Sequence, residues 1–235
     1  MQRLGYTRYV AQGGDWGNAI SEVMALQQPP GLLGIHTNMA ATVPPDVSKA
    51  LSAGGPPPSG LSPEEKFAWD GVDDFYKNGL GYANEMALRP QTLYGIVDSP
   101  VGLAGWILDH DIRSYQMIAR VFDGKPEGLT RDDVLDNITL YWLTNTAISS
   151  ARLYWDTRHN LPAGGFFDAR GVKLPVGVRA FAEEIYQAPK SWAEKAYVKL
   201  VHYSNHSKGT HFAAWEQPAL LVSDVRATFK SLRSG

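Results

Sequence analysis

Residues 13–17 read Gly-Gly-Asp-Trp-Gly and lie between a β-like run and a helical one. Where a strand turns sharply into a helix, the apex residue takes strained backbone angles and its side chain projects freely. The residues two before and two after the apex must be small, and here they are Gly13 and Gly17. The segment has the form of the nucleophile elbow G-x-S-x-G, with Asp15 in the place of the serine. The N–H groups and positive dipole end of the following helix favour a carboxylate there. The plainer reading of Asp15 is an aspartate that only caps the helix.

A second cluster, Gly209-Thr210-His211-Phe212-Ala213-Ala214, follows the last β-like run. A histidine just past the C-terminal end of a strand shares a rim of a parallel sheet with a residue in a strand-to-helix elbow, and that rim is where ligands bind. With six histidines in the chain, one falling there by chance is not rare. Asp109-His110-Asp111 has the composition of a metal cluster. Adjacent residues on a helix point in different directions, however, so it reads as a solvated face.

The elements that must position these groups follow from patterning. Tyr6–Gln12 is β-like and ends abruptly at Gly13-Gly14; the next residues form an amphipathic helix with Ile20, Val23 and Met24 on one face, stopped by Pro29-Pro30. A further β-like run, Leu32–Met39, completes a βαβ unit, which implies a parallel sheet. From Ala40 to about Asn160 the pattern is helical. Residues 52–63 read as a Gly- and Pro-rich surface loop, and helices are predicted to start at Ser62-Pro63-Glu64-Glu65 (a capping box), at Ser99-Pro100, and at Thr130 with Asp133. β-like runs return at Lys173–Phe181 and Tyr197–Asn205, and Pro218 opens a last helix with Leu221, Val225, Phe229 and Leu232 on one face. The division expected is a sheet-bearing core over 1–40 and 166–235 with an α-helical cap over 41–165.

Composition sets outer limits. The chain has 235 residues, 44% of them hydrophobic, enough for a sizeable core. Lys and Arg number 22 against 24 Asp and Glu, so no basic surplus points to nucleic acid. The absence of cysteine excludes disulfides, zinc-thiolate sites, iron–sulfur ligation and cysteine catalysis. No apolar run approaches the roughly 20 residues of a membrane helix, and the first residues lack the apolar stretch of a secretory signal. A soluble, cytoplasmic chain is expected.

RLGYTRYVAQGGDWG, GYANEMALRP, SPVGLAGWILD, NITLYWLTNTAISSARLYWD and GTHFAAWEQP occur in this order. Together they closely resemble the microsomal-type epoxide hydrolases of the α/β-hydrolase superfamily, over essentially the whole chain. The resemblance implies Asp15 as nucleophile and His211 as base. It implies Glu184 as the acid that orients His211, with Glu183 as a rival. It implies Tyr82 and Tyr154 as the two cap tyrosines that hold the epoxide oxygen, and the Trp16 backbone N–H as an oxyanion donor. Thr210 departs from the Gly-Gly-His pattern usual in the family.

The chemistry explains the residue types. Attack on an sp³ epoxide carbon by a serine would leave a stable ether, whereas a carboxylate leaves an ester that water can cleave. A histidine then deprotonates that water, and phenol O–H donors stabilise the alkoxide formed on ring opening.

In the superfamily the nucleophile follows the fifth strand, but only one strand fits before Asp15, and the chain contains no His-Gly dipeptide for the usual His-Gly-x-Pro loop. The expectation is therefore an incomplete α/β-hydrolase fold, the C-terminal half of the parallel sheet with a cap insert, from a shortened gene model or a natural truncation and with impaired activity. Tyr6–Gln12 is expected at an open sheet edge. The partners expected are a small epoxide and water, with no metal, cofactor, nucleic acid or membrane segment, and a homo-oligomer is left open. The aromatic residues Phe67, Trp69, Phe75, Tyr76, Trp106, Tyr141 and Trp142 point to an apolar substrate. Two rivals stand beside this reading: a haloalkane dehalogenase-like hydrolase and a non-catalytic remnant that binds a partner through the sheet edge.

Overall fold

Strand β1 (Tyr9–Gly13), β2 (Leu32–Thr37), β3 (Val172–Glu183) and β4 (Tyr197–Thr210) lie side by side in that order and pair in parallel throughout. The computed structural model describes residues 1–160 and 171–232. Among these, β1 is an end strand of the sheet, as the resemblance implies for a chain with only one strand before the elbow. Helix α1 (Trp16–Gln27) crosses from β1 to β2, α10 (Lys190–Ala196) from β3 to β4, and α11 (Ala213–Glu216) and α12 (Pro218–Thr228) follow β4. Between β2 and β3 come α2 (Pro45–Ser52), α3 (Pro63–Asp74), α4 (Gly81–Leu88), α5 (Thr92–Ile96), α6 (Pro100–Leu108), α7 (Ile112–Phe122), α8 (Arg131–Thr144) and α9 (Ala147–Asn160).

The helix starts read from sequence have the expected caps. Ser62 Oγ accepts from the Glu65 amide at 3.2 Å while Glu65 Oε2 accepts from the Ser62 amide at 2.9 Å. Thr130 and Asp133 form the same reciprocal pair, and Ser99 Oγ accepts from the Gly102 amide at 2.9 Å.

The chain divides into two compact units, one of Met1–Asp73 with Gly164–Gly235 and one of Asp74–Ala163. Residues 41–73 thus lie with the sheet rather than with the helical insert to which patterning assigns them. Their burial explains this: Val43, Val47 and Val72 are fully enclosed, Trp69 is 3% exposed, and Ser191 of α10 donates to Glu65 Oε1 at 2.8 Å.

Helix α1 turns toward the interior a face other than the one hydrophobicity suggests, whereas α12 turns its predicted face inward but carries buried polar residues in it. On α1, Ile20, Val23 and Leu26 are exposed, while Asn18, Ser21, Glu22 and Ala25 are buried. The buried Glu22 carboxylate accepts from the Tyr197 hydroxyl at 2.6 Å, which offsets the cost of taking it from water. On α12 the buried positions are Asp224 and Thr228, with Phe229 just beyond, while Leu221 and Val225 remain partly exposed.

Asp224 ties α12 to three strands at once. His36 on β2 donates through Nε2 to its Oδ2 at 2.7 Å; on β4, His202 Nε2 and Ser204 Oγ reach Oδ1 at 2.9 and 2.6 Å. Arg179 on β3 lies 3.4 Å from the same oxygen. Burial would raise the carboxyl pKa, but the hydrogen bonds from His36, Ser204 and His202 outweigh it and hold the value at about 2. A carboxylate depressed in the folded state stabilises the fold above its unfolded pKa of about 4, by roughly 2 kcal/mol, and loses that contribution as pH falls through the folded value. Asp224→Asn should therefore destabilise the protein by about 3 kcal/mol at pH 7 in urea unfolding. The gap between variant and parent should narrow as pH falls from about 4 toward about 2; a gap that is constant with pH would refute the assignment.

Candidate active site

β1 ends at Gly13 and α1 begins at Trp16, so two residues make the whole turn. Asp15 stands at the apex with φ 51° and ψ −127°, one of three non-glycine residues with positive φ among the described residues. Such a backbone costs on the order of 1–3 kcal/mol and persists only where its surroundings impose it. The close approach of strand and helix does so here. A Cβ on Gly13 would lie 2.1 Å from the Gly17 carbonyl group, whereas a Cβ on Gly17 would meet nothing within 4 Å. The two small residues required by the elbow are therefore unequal: Gly13 supplies the space, and Gly17 supplies the backbone that needs it.

The Asp15 carbonyl accepts from the Asn18 and Ala19 amides at 2.9 and 3.2 Å and opens the helix. Its carboxylate has two distinct partners. Oδ1 accepts from the Trp16 amide at 2.5 Å, and Oδ2 lies 3.2 Å from His211 Nε2. The side chain thus does cap its helix, as the plain reading has it, while its second oxygen faces the histidine.

His211 follows β4 directly, and its Nδ1 lies 2.6 Å from Glu184 Oε1. Glu184 follows β3 directly, is 1% exposed, and also accepts from the Ile185 amide at 2.8 Å. Glu183, its rival from sequence, is the exposed last residue of β3. The C-terminal ends of β1, β4 and β3 thus deliver a carboxylate, an imidazole and a second carboxylate, in that order, in one line. Because an ionised carboxylate only accepts, Nδ1 carries a proton toward Glu184. Burial alone would lower the His211 pKa, but the Glu184 charge and the hydrogen bonds to Asp15 and Glu184 outweigh it and hold the imidazole well above its ordinary value. Each facing atom engages another member of the set, the pattern of a relay for protons.

Patterning missed Glu216. Thr210 is buried at 1% exposure; its amide donates to Glu216 Oε1 at 2.6 Å and its hydroxyl donates to the same oxygen. The backbone freedom of the loop sits one residue earlier, at Gly209 with φ 118°. A β-branched residue therefore fits before His211, and its hydroxyl helps to fix the loop. A buried glutamate five residues past the histidine carries no periodic signal of its own.

In the Asp74–Ala163 unit, Tyr82 and Tyr154 come together from α4 and α9 with ring centroids 5.9 Å apart and planes at 80°. Both pack on Met86, Leu93 and Ala151. His110 does not sit on a solvated helix face, as predicted; it lies in the short connection between α6 and α7, with its side chain 16% exposed and its ring 4.7 Å from that of Tyr82. The aromatic residues read as a substrate wall scatter: Trp69 is buried in the sheet-bearing unit, Phe67 is 56% exposed, and Trp106 packs beside the tyrosine pair. No helix among the described residues is long and apolar enough to cross a membrane.

A strained Asp elbow on a parallel sheet, with Glu and His at the ends of two further strands, fits the α/β-hydrolase fold. Comparison with known proteins agrees. The chain is 44% identical, over its full length, to 49% of a Stigmatella aurantiaca (strain DW4/3-1) protein named "Putative epoxide hydrolase". It is 32% identical to epoxide hydrolase 1 of Sus scrofa, covering 96% of this chain and 52% of that one. The crystal structure of juvenile hormone epoxide hydrolase from the silkworm Bombyx mori superposes with a TM-score of 0.79 at 30% identity, over 99% of this chain and 57% of that one. No protein-family model matches the chain. The chain is thus similar over its whole length to epoxide hydrolases of the α/β-hydrolase fold, and it spans about half the length of these relatives.

The unequal glycines give a direct check. Gly13→Ala should cost about 3 kcal/mol or prevent folding, because both partners in the clash are backbone. Gly17→Ala should be neutral or stabilise α1 by up to about 1 kcal/mol. Thermal unfolding of the two variants compares them, and equal losses would refute this account of the elbow.

Proposed function

We propose that this chain carries the machinery of an epoxide hydrolase that opens a small apolar epoxide with water to a vicinal diol, through an ester on Asp15. The observation that carries the reading is the line Asp15–His211–Glu184, at 3.2 and 2.6 Å, on a strained elbow. The relatives named above support the substrate class.

In the first half-reaction Asp15 Oδ2 attacks a ring carbon, the carbon–oxygen bond of the ring breaks, and its electron pair goes to the oxygen. Tyr82 and Tyr154 donate hydrogen bonds to that oxygen, and the proton it takes is replaced from the imidazolium of His211 through solvent. Ester formation removes the Asp15 charge, which is one of the two that hold the His211 pKa up. The imidazole then accepts a proton from water more weakly bound than before, and acts as a base without moving.

In the second half-reaction the water oxygen bonds to the Asp15 acyl carbon. Oδ1, already bonded to the Trp16 amide, takes the negative charge; collapse reforms the carbonyl and breaks the bond from the acyl carbon to the diol oxygen, which takes the attacking water's remaining proton. Asp15 regains its charge and His211 its proton. One epoxide and one water give one diol, and a serine at position 15 could not close this cycle.

The test is single-turnover reaction of the 235-residue chain with styrene oxide in H₂¹⁸O, followed by mass analysis of its peptides. Heavy oxygen should appear in the Asp15 carboxylate. Asp15→Asn should lose at least about 10³-fold in rate. In His211→Gln the Asp15 peptide should instead keep the mass of the bound substrate, because the ester forms and is not cleaved. A folded parent chain that takes up no label would overturn the proposal. Halide release from haloalkanes without diol formation would favour the dehalogenase reading.

A further inference from the structure

The proposed reaction asks Tyr82 to place one hydroxyl hydrogen within a fraction of an ångström of a developing alkoxide, so the rotation of its ring matters. α4 starts at Gly81 directly after a π-helical turn, Phe75–Gly79, and Leu80 at its N-cap makes no side-chain capping bond. Tyr82 is the second residue of that helix. Its contact with Tyr154 is edge-on, which fixes separation better than rotation of the ring.

The second aromatic contact is His110, with ring centroids 4.7 Å apart and planes at 42°. His110 is itself well anchored. Asp111 Oδ2 lies 3.1 Å from His110 Nδ1, and Asp111 Oδ1 accepts from the Arg113 and Ser114 amides at 3.0 and 2.9 Å as the N-cap of α7. One carboxylate therefore starts a helix with one oxygen and orients an imidazole with the other. Burial would raise the Asp111 pKa, but His110 and Ser114 outweigh it and hold it at about 2, so the anchor stays ionised across the working range of an enzyme.

We infer that His110 is a positioning residue for Tyr82: its imidazole, oriented by Asp111, sets the rotation of the Tyr82 ring and so the direction of the hydroxyl. The inference rests on the reading of Tyr82 as a donor to the epoxide oxygen. It assigns a role to the Asp109-His110-Asp111 segment that its composition alone does not show. It also limits that role to the step in which Tyr82 acts, the opening of the ring.

The test measures ester formation and ester hydrolysis separately, by rapid quench and peptide mass analysis with styrene oxide. His110→Ala should slow ester formation on the order of 10–10²-fold, the cost of misplacing a reacting group by up to about 1 Å. It should leave hydrolysis within about twofold, because His211 and Glu184 act there. His110→Phe keeps a ring but loses the bond to Asp111, and should fall between parent and Ala. In a Tyr82→Phe background His110→Ala should cost nothing further, since its effect passes through the missing hydroxyl. Equal losses in both half-reactions, or an undiminished loss in the Tyr82→Phe background, would overturn the inference.

A second measurement needs no turnover. With tyrosine labelled at ¹³Cζ, His110→Phe should move the Tyr82 resonance, assigned through its loss in Tyr82→Phe, more than that of any other tyrosine. If the parent forms no ester on Asp15, the proposed reaction fails and this resonance decides the positioning role by itself. If the parent does form the ester and the Tyr82 resonance stays still, only the positioning role fails.

Discussion

Gly13 and Gly17 meet backbone to backbone at a distance that leaves no room for a Cβ on Gly13, and the candidate site follows from that contact. It forces a turn of two residues between strand and helix, which forces Asp15 into a backbone conformation that an L-residue rarely takes. That conformation separates the two carboxylate oxygens by environment. One lies against the Trp16 amide that opens α1, and the other is turned to His211 at the end of β4. A relaxed N-cap aspartate would spend its carboxylate on its own helix. Strain at one residue is what frees half of the group for chemistry.

The electrostatics depend on this geometry in turn. His211 is flanked by two carboxylates of different character: Glu184, enclosed and bonded to a neighbouring amide, and Asp15, about a quarter exposed. Only the second can lose its charge in a reaction. A buried imidazole between two anions holds its proton, and the same imidazole beside one anion holds it less tightly. In the proposed reaction the protonation state of His211 is thereby coupled to the covalent state of Asp15 with no moving part. Thr210 and Glu216 matter here because they fix the last strand residue before His211, and a relay at hydrogen-bond distance tolerates little drift in its middle member.

The elbow, the parallel βαβ unit and the three capped helix starts were legible in the sequence because each rests on local chemistry: a glycine pair, a βαβ spacing, a Ser before a Pro or a Ser or Thr three residues before an acid. The choice between Glu183 and Glu184 was not, since adjacent residues at a strand end differ only in which face they take, and the pairing register decides that. His110 escaped for a related reason. Read as part of a helix, its neighbours turn away from it; in the connection between α6 and α7 its ring is carried onto Tyr82 instead.

Periodicity misled most where it is usually trusted. On α1 the apolar stripe faces outward and polar residues face in; on α12 the stripe faces in, with Asp224 and Thr228 buried within it. Glu22 and Asp224 are tolerated there because each finds donors on the strands below: the Tyr197 hydroxyl for one; His36, His202 and Ser204 for the other. Those donors lie at positions on β2 and β4 whose side chains would otherwise need to be apolar. The helix and sheet sequences are thus matched by hydrogen bonding rather than by hydrophobicity, and neither half of the match is visible in one segment alone. An apolar stripe shows that a helix is amphipathic; which stripe faces the sheet is fixed by what the sheet presents to it.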